Sequence, residues 1–204
     1  MSLSVYFVTP DARAAPVEDL VAAALRGGVT AVQLRDKTAT DAEMIALGRR
    51  LHALVAPRGV PLIINDRVEV MLACGAEGLH VGQTDAPVDE MRRRIGPGRI
   101  LGLSIETDAQ LAHIPPGIVD YIGVGPVRAT GSKTDHAAPI GFDGLARICR
   151  AAPVPAVAIG GIGLADVAAL KAAGVVGMAV ISAIAGAPDP EAATRALVRA
   201  WRLA

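Results

Sequence analysis

The chain has 204 residues, which is enough for a sizeable hydrophobic core, and we expect residues 1–204 to form one domain. Hydrophobic residues make up 52% and charged residues 20%, a balance that excludes an intrinsically disordered chain. Lysine plus arginine and aspartate plus glutamate both number 20, so the formal net charge is zero. This charge argues against a nucleic-acid-binding protein that relies on a broad basic surface.

The sequence predicts a cytoplasmic protein without a membrane partner. Asp11 and Arg13 interrupt the apolar residues at the start, so this segment does not resemble an export signal. No apolar run has the length of a membrane span without charge or glycine. Cys74 and Cys149 lack metal-binding or redox spacing and fit apolar helical patterns, so both are interpreted as small core residues. The sequence is also compatible with a homo-oligomer.

Short apolar runs alternate with helical patterns along the chain, without a change in composition or a linker between them. The predicted strands are Val5–Thr9, Thr30–Leu34, Pro61–Ile64, Gly78–Val81, Ile100–Leu103, Tyr121–Val124, Ala156–Ile159 and Val176–Ile181. The predicted helices are Val17–Arg26, Asp41–Val55, Val68–Cys74, Val88–Ile95, Asp108–Ala112, Phe142–Ala151, Leu164–Ala173 and Pro190–Trp201.

Eight consecutive βα units predict an α/β protein folded as a single (β/α)8 TIM barrel. An open doubly wound sheet also alternates strands and helices, but it would leave two edges among eight short strands. Gly27-Gly28, Gly75 and Gly174 end helical stretches directly before strands, which is typical of tight turns on the stability face of a barrel. Polar residues and glycines collect at the opposite, carboxyl ends of the strands, where barrel enzymes build active sites.

The second strand has an unusual polar face. Val32 and Leu34 alternate with Gln33, Arg35 and Lys37, so the three polar side chains share one side of the strand. Burying unpaired cations between a sheet and its helices is costly. We therefore expect this face to lie at the carboxyl end of the strand and to bind an anionic ligand. The alternative is a solvated edge strand with a basic face.

Two carboxylates follow neighbouring strands. Asp66 comes after Asn65 at the end of the third strand, and Asp85 follows the fourth. A pair of carboxylates suits Mg²⁺, which keeps several waters and also binds substrate phosphate oxygens. Each aspartate could instead cap the helix that follows it. Their pairing opposite a cationic strand favours a site for Mg²⁺ and a diphosphate.

The loop after the sixth strand, residues 125–134, contains glycine, hydroxyl and lysine residues but does not match a nucleotide P-loop, because the spacing is wrong and no helix begins there. As a loop over the barrel mouth it offers Thr130, Ser132 and Lys133 to an anion, whereas Arg128 fits a plain solvated loop.

Glycines and a serine end the last two strands. Gly160-Gly161 follows the seventh strand and opens a helix, and Ser182 follows the eighth. Backbone amides at such positions bind phosphate, and phosphate sites after strands seven and eight are frequent in this fold. Together with the cationic strand, this predicts two anion sites in one pocket and therefore two phosphorylated small-molecule substrates.

Six motifs follow one another along the chain. They are Gln33-Leu34-Arg35-Asp36-Lys37, Ile64-Asn65-Asp66, Gly78-Leu79-His80-Val81-Gly82-Gln83 with Asp85, Gly102-Leu103-Ser104, Gly123-Val124-Gly125-Pro126 with Thr130, Ser132 and Lys133, and Ile159-Gly160-Gly161-Ile162. Together they resemble the thiamine phosphate synthase family from about Val5 to about Ser182. The resemblance implies a transferase that condenses 4-amino-2-methyl-5-hydroxymethylpyrimidine diphosphate with 4-methyl-5-(2-hydroxyethyl)thiazole phosphate. The implied products are thiamine phosphate and diphosphate.

The resemblance also implies roles for individual residues. The implied pyrimidine diphosphate site comprises Gln33, Arg35, Lys37, Asn65, Ser104 and Lys133, of which Arg35, Ser104 and Lys133 are expected to be catalytic. The implied thiazole phosphate site comprises Thr130, Gly131, Ser132, Gly161, Ile181 and Ser182. Asp66 and Asp85 are expected to bind Mg²⁺. The implied substitution is dissociative, and such chemistry depends on leaving-group stabilisation, positioning and water exclusion more than on a general base.

The histidines offer no obvious catalytic base. His80 lies inside a predicted strand and is interpreted as a core residue. A related barrel, the thiazole tautomerase, has a histidine where Glu106 stands here, and a histidine is frequent there among relatives. An isomerase of that kind and a non-catalytic barrel that binds a phosphorylated ligand are the two alternatives. Dependence on Mg²⁺ distinguishes the synthase from both.

Overall fold

The structure is a computed structural model that describes residues 2–12, 16–130 and 138–204. Within these residues, eight parallel strands close into a barrel in sequence order, with the last strand paired to the first. The strands are β1 (Val5–Val8), β2 (Ala31–Leu34), β3 (Leu62–Asn65), β4 (Gly78–Val81), β5 (Ile100–Ile105), β6 (Tyr121–Val124), β7 (Ala156–Ile159) and β8 (Gly177–Val180). The predicted (β/α)8 TIM barrel is confirmed, and barrel closure excludes the doubly wound alternative.

The helices alternate with the strands as predicted. Those of the described residues are α1 (Val17–Gly27), α2 (Asp41–Val55), α3 (Val68–Cys74), α4 (Val88–Ile95), α5 (Asp108–Leu111), α6 (Gly141–Ala151), α7 (Val167–Ala172), α8 (Ser182–Ala185) and α9 (Pro190–Leu203). Short 3-10 helices follow α2 at Ala56–Arg58 and precede α7 at Leu164–Asp166. None of the described helices combines the length and apolar character needed to cross a bilayer.

Local sequence signals explain where several helices begin and end. Thr40 accepts a hydrogen bond from the backbone N–H of Glu43, whose carboxylate bonds back to Thr40, and this capping box starts α2. Gly28 follows α1 with φ 91°, and Gly75 follows α3 with φ 79°, a left-handed conformation that residues with a Cβ rarely adopt. These turns return the chain to the next strand on the face remote from the predicted site.

Two apolar layers hold the barrel together. Tyr6, Ile63, Tyr121 and Val157 belong to the cluster inside the barrel, and a larger cluster fills the space between strands and helices. The interior layer is less uniform than hydrophobic patterning alone predicts, because two of its large members are tyrosines whose hydroxyl groups need hydrogen-bond partners.

A glycine makes room for two rings in this interior. Gly102 of β5 lies beside His80 of β4 on one side and beside Tyr121 of β6 on the other. A Cβ at Gly102 would lie 2.3 Å from Cζ of Tyr121 and 2.4 Å from Nδ1 of His80. The two rings therefore meet across β5 because the strand between them has no side chain at this level.

Candidate active site

A cavity of about 230 Å³ opens at the carboxyl ends of the strands. It receives residues from the ends of β2 to β8, as expected for a barrel active site. The predicted site residues in its lining are Arg35, Lys37, Asn65, Asp66, Asp85, Ser104, Thr130 and Ile181. The structure thus brings residues predicted for the diphosphate, the metal and the second phosphate into one cavity.

Other predicted site residues lie elsewhere. Gln33, Gly161 and Ser182 are absent from the lining that the described residues form, although Gly160 and Ile181, next to the last two, are part of it. Gln33 is buried with 5% of its surface exposed and lies deeper in the barrel, where its amide donates to the hydroxyl of Tyr6. The predicted Gly131, Ser132 and Lys133 fall outside the described residues.

The cavity also includes residues for which no role was predicted. Glu106 follows the end of β5, two positions after Ser104, and its carboxylate brings a negative charge to the lining. The spacing of two residues is the signal that places both on the same side of the strand end. Gly82, Gln83 and Thr84 form the turn before Asp85. These positions were difficult to predict, because loop conformation rather than strand periodicity determines where they point.

Asp66 and Asp85 form an acidic pair inside the cavity. The pKa of Asp66 is raised to about 6. Burial is the largest cause, and the charge of Asp85 and a hydrogen bond between the two carboxyl groups add to it, while Lys37 and Arg35 lower the pKa. Asp66 also has a positive φ of 61°, which is uncommon for a residue other than glycine and points to a functional constraint. The pair is arranged so that a cation between the carboxylates would relieve their repulsion.

Helix capping does not explain these two aspartates. Helix α3 begins after Arg67 and α4 after Pro87, and neither helix has a side-chain cap. Asp85 instead accepts a hydrogen bond from the backbone N–H of Gly82 at 2.6 Å, which closes the turn between β4 and α4. The capping alternative is therefore wrong for both residues.

The end of β2 is organised by Asp36. Its carboxylate accepts hydrogen bonds from the backbone N–H groups of Ala12, Thr38 and Ala39 at 2.8–2.9 Å and from the Thr38 hydroxyl at 2.9 Å. Burial opposes ionisation of Asp36, but these hydrogen bonds outweigh it and lower its pKa. Asp36 thereby fixes the chain between Arg35, which is 8% exposed, and Lys37 at the cavity.

Asp36→Ala is expected to lower the free energy of unfolding by about 2–4 kcal/mol, because four donors lose a charged acceptor. The pKa of Asp36 is lowered in the folded protein, so this stabilisation is present above the unfolded pKa and is lost as the pH falls. Urea unfolding at neutral pH and near pH 3 tests the sign. Asp19→Ala, at an exposed position of α1, is the control and should change stability little. An equal loss at both pH values would contradict this account.

A chain of buried polar side chains runs beneath the cavity. The amide of Gln33 contacts the hydroxyl of Tyr6 at 2.7 Å, and this hydroxyl contacts that of Tyr121 at 3.0 Å. The Tyr121 hydroxyl also contacts Nδ1 of His80 at 2.8 Å, while Nε2 of His80 lies 2.9 Å from Oγ of Ser104. His80 is buried as predicted, but it also connects the interior of the barrel to a residue of the cavity.

The base of the loop after β6 is attached to the turn after β7. The backbone N–H of Arg128 donates to the carbonyl of Gly160 at 3.0 Å, and its guanidinium pairs with Asp166 at 2.7 Å. A Cβ at Gly161 would lie 2.6 Å from the carbonyl oxygen of Ala129. These contacts attach the start of the loop, including the exposed Arg128, to the glycine turn after β7.

A comparison with known protein families identifies the barrel. The family described as thiamine monophosphate synthase matches residues 5–184. The chain belongs to the thiamine monophosphate synthase family. The match extends from β1 into α8, so it includes every strand end that contributes to the cavity.

Individual members of the thiamine monophosphate synthase family are similar over almost the whole chain. The thiamine-phosphate synthase of Roseiflexus sp. (strain RS-1) is 50% identical over 196 residues, which cover 95% of this chain and 83% of that protein. The thiamine-phosphate synthase of Roseiflexus castenholzii is 52% identical, with 95% and 86% covered. The solved thiamine phosphate pyrophosphorylase of Pyrococcus furiosus superposes with a TM-score of 0.89 at 35% identity and covers 98% of this chain and 96% of that one.

Proposed function

We propose that the chain is a transferase that catalyses the thiamine-phosphate synthase reaction. It joins the aminopyrimidine diphosphate to the thiazole phosphate and releases diphosphate. The observation that carries this proposal is the cavity, where Arg35 and Lys37 line the same space as the paired carboxylates of Asp66 and Asp85. Cations together with a metal-binding acidic pair suit a diphosphate leaving group better than they suit simple binding of a phosphate.

Mg²⁺ is the cofactor that the carboxylate pair fits. Among the described lining residues, the cations are Arg35 and Lys37 and the carboxylates are Asp66, Asp85 and Glu106. This part of the lining carries more acidic than basic side chains, so a diphosphate requires additional positive charge there. Mg²⁺ is usually bound through one or two protein carboxylates together with water and substrate phosphate oxygens, and Asp66 and Asp85 can supply the two carboxylates. When bound, Mg²⁺ supplies charge neutralisation for the departing diphosphate.

The side chains around the cavity have two separate roles, which are binding of the diphosphate and binding of the thiazole phosphate. Arg35, Lys37 and Asn65 bind and orient the diphosphate, and Ser104 contacts it from the end of β5. Thr130, Gly160 and Ile181 lie on the other side of the cavity, after β6, β7 and β8, where the thiazole phosphate is proposed to bind. Holding both substrates in one desolvated cavity favours attack of the thiazole nitrogen on the pyrimidine cation over attack by water. Gly131, Ser132, Lys133, Gly161 and Ser182 retain the roles that the resemblance implies, whereas Gln33 lies beneath the cavity and donates to Tyr6.

The proposal includes a cytoplasmic location and two phosphorylated small-molecule substrates. Cys74 and Cys149 are both free thiols, which fits a reducing compartment.

The experiment that tests the function measures diphosphate release from the purified protein with each substrate alone and with both, in the presence of Mg²⁺ or of EDTA. Release is expected only with both substrates and Mg²⁺, accompanied by thiamine phosphate. Isomerisation of the thiazole phosphate alone, without a metal requirement, would favour the tautomerase alternative. Binding of a phosphorylated ligand without any turnover would favour the non-catalytic barrel.

A further inference from the structure

The buried chain beneath the cavity consists of four hydrogen bonds in series. It passes from Gln33 to Tyr6, Tyr121, His80 and finally Ser104, with donor–acceptor distances of 2.7, 3.0, 2.8 and 2.9 Å. Both tyrosines are 1% exposed and His80 is 8% exposed, so solvent has little access to these links. Ser104 is the member of the chain that lines the cavity.

We propose that the Gln33 amide determines the direction of this chain, so that His80 carries its proton on Nε2 and Ser104 keeps its own hydroxyl proton as a donor to the cavity. An amide nitrogen can only donate a hydrogen bond. The inference deepens the proposed function, because the anion that Ser104 would face there is the diphosphate.

Proton counting gives the direction at each link. The Tyr6 oxygen accepts from Gln33, so the single Tyr6 proton goes to the Tyr121 oxygen. The Tyr121 proton then goes to Nδ1 of His80, which must be unprotonated to accept it. A neutral imidazole carries its proton on the other nitrogen, so Nε2–H donates to the Ser104 oxygen.

Two features of the barrel interior maintain this arrangement. Burial raises the pKa of both tyrosines above the ordinary value of 10, so each hydroxyl remains protonated and has one proton to donate. Gly102 and Gly123 leave the space that the His80 ring occupies, since a Cβ at either position would lie within 3.2 Å of a ring atom. The links are thus set by packing as well as by hydrogen bonding.

The direction matters because an anion requires donors. With Nε2–H donating to its oxygen, Ser104 has its O–H available for a phosphoryl oxygen in the cavity. In the reverse direction, Ser104 would donate to Nε2 and present only lone pairs to the anion. Gln33, Tyr6, Tyr121 and His80 therefore act as positioning residues through Ser104.

The direct test is the tautomer of His80, measured by long-range ¹H–¹⁵N NMR of the full chain with labelled histidine and without substrates. The signals of His80 are assigned by their loss in His80→Asn. The expected spectrum shows a protonated Nε2 and an unprotonated Nδ1. A proton on Nδ1, or a doubly protonated ring at neutral pH, would overturn the proposal whether or not the chain proves to be a synthase.

Two variants show whether the tyrosines direct the proton. Tyr121→Phe removes the donor to Nδ1 and should allow both tautomers of His80. Gln83→Met is the matched control: it removes a different bond to Ser104, from the Gln83 amide to the Ser104 carbonyl at 2.6 Å, and should leave the His80 signals unchanged. If Tyr121→Phe retains the single Nε2–H tautomer, the chain does not set the direction.

Kinetics then connect the tautomer with the reaction. Tyr121→Phe should lower kcat about tenfold with a smaller change in KM, which is the size expected for one misdirected hydrogen bond to a charged group. Ser104→Ala should cost less in the Tyr121→Phe protein than in the parent, because both changes remove the same donor. Strictly additive losses would show that Tyr121 supports folding alone and would contradict the positioning role.

Discussion

Asp85→Asn is expected to reduce turnover by about 100-fold or more, because a catalytic metal ion contributes several kcal/mol to the stabilisation of a departing group. Asparagine retains an oxygen that can accept the hydrogen bond from Gly82, so the turn between β4 and α4 should remain intact. The loss should therefore appear in kcat at saturating substrates and Mg²⁺ rather than in the yield of folded protein. Near-normal activity would remove Asp85 from the site.

The same variant should be more stable than the parent protein when no metal is bound. The pKa of Asp66 is raised to about 6 by burial and then by Asp85, above its ordinary value of 3.8. An acid with a raised pKa in the folded state costs the protein stability as the pH rises from about 4 to about 6, and this loss persists without growing at higher pH. Removing the Asp85 charge lowers that pKa and restores part of the loss, so in EDTA the melting temperature of Asp85→Asn should exceed that of the parent at pH 7.5.

Metal binding gives an independent measurement on the same two proteins. Mg²⁺ should raise the melting temperature of the parent protein and have little effect on Asp85→Asn, because ligands that bind the folded state stabilise it. Asp89→Asn is the matched control, since Asp89 is exposed on α4, four residues further along the chain. It should retain both turnover and the Mg²⁺ response. An equal Mg²⁺ response in Asp85→Asn would contradict the proposed metal site.

The fold could be predicted from the sequence because its signals are local. Strands such as β4 (Gly78–Val81) and β6 (Tyr121–Val124) agree with the apolar runs at both ends. Strand β5 continues to Ile105, two residues beyond its predicted end. The prediction stopped early because the polar Ser104 interrupts the apolar run. In the structure Ser104 still pairs with Gly123 of β6 and belongs to the strand. Helix α8 is absent from the predicted helices, because its four residues are too few to show helical periodicity in the sequence.

The candidate site could be predicted only in part because depth within a barrel is not a local property. Alternation places Gln33 and Arg35 on the same face of the chain, but Arg35 reaches the cavity while Gln33 lies one layer below it. The link between Tyr6 and Tyr121 joins residues 115 positions apart, and no spacing in the sequence indicates it. Polar residues at strand ends could be identified, whereas the buried network that supports them required the closed barrel.

Gly102→Ala should lower both the stability and the activity of the protein. The added methyl group would lie 2.3 Å from Cζ of Tyr121 and 2.4 Å from Nδ1 of His80, distances that require both rings to move. Overpacking of this kind costs about 1–3 kcal/mol and sometimes more. Displacing the rings also breaks their mutual hydrogen bond, so activity should fall by more than the loss of stability alone explains.

Chemical unfolding and turnover should be measured for Gly102→Ala and for Gly98→Ala. The comparison separates the effect of a steric clash from the effect of alanine on the backbone. Gly98 has no atom within 4 Å of a Cβ position and does not require a left-handed backbone, so its alanine variant should behave like the parent. The Gly102 variant should unfold at lower denaturant and should lose turnover even at temperatures where it is fully folded. Full activity in folded Gly102→Ala would show that the contact between His80 and Tyr121 is not needed for the reaction, because the methyl group leaves no room for it.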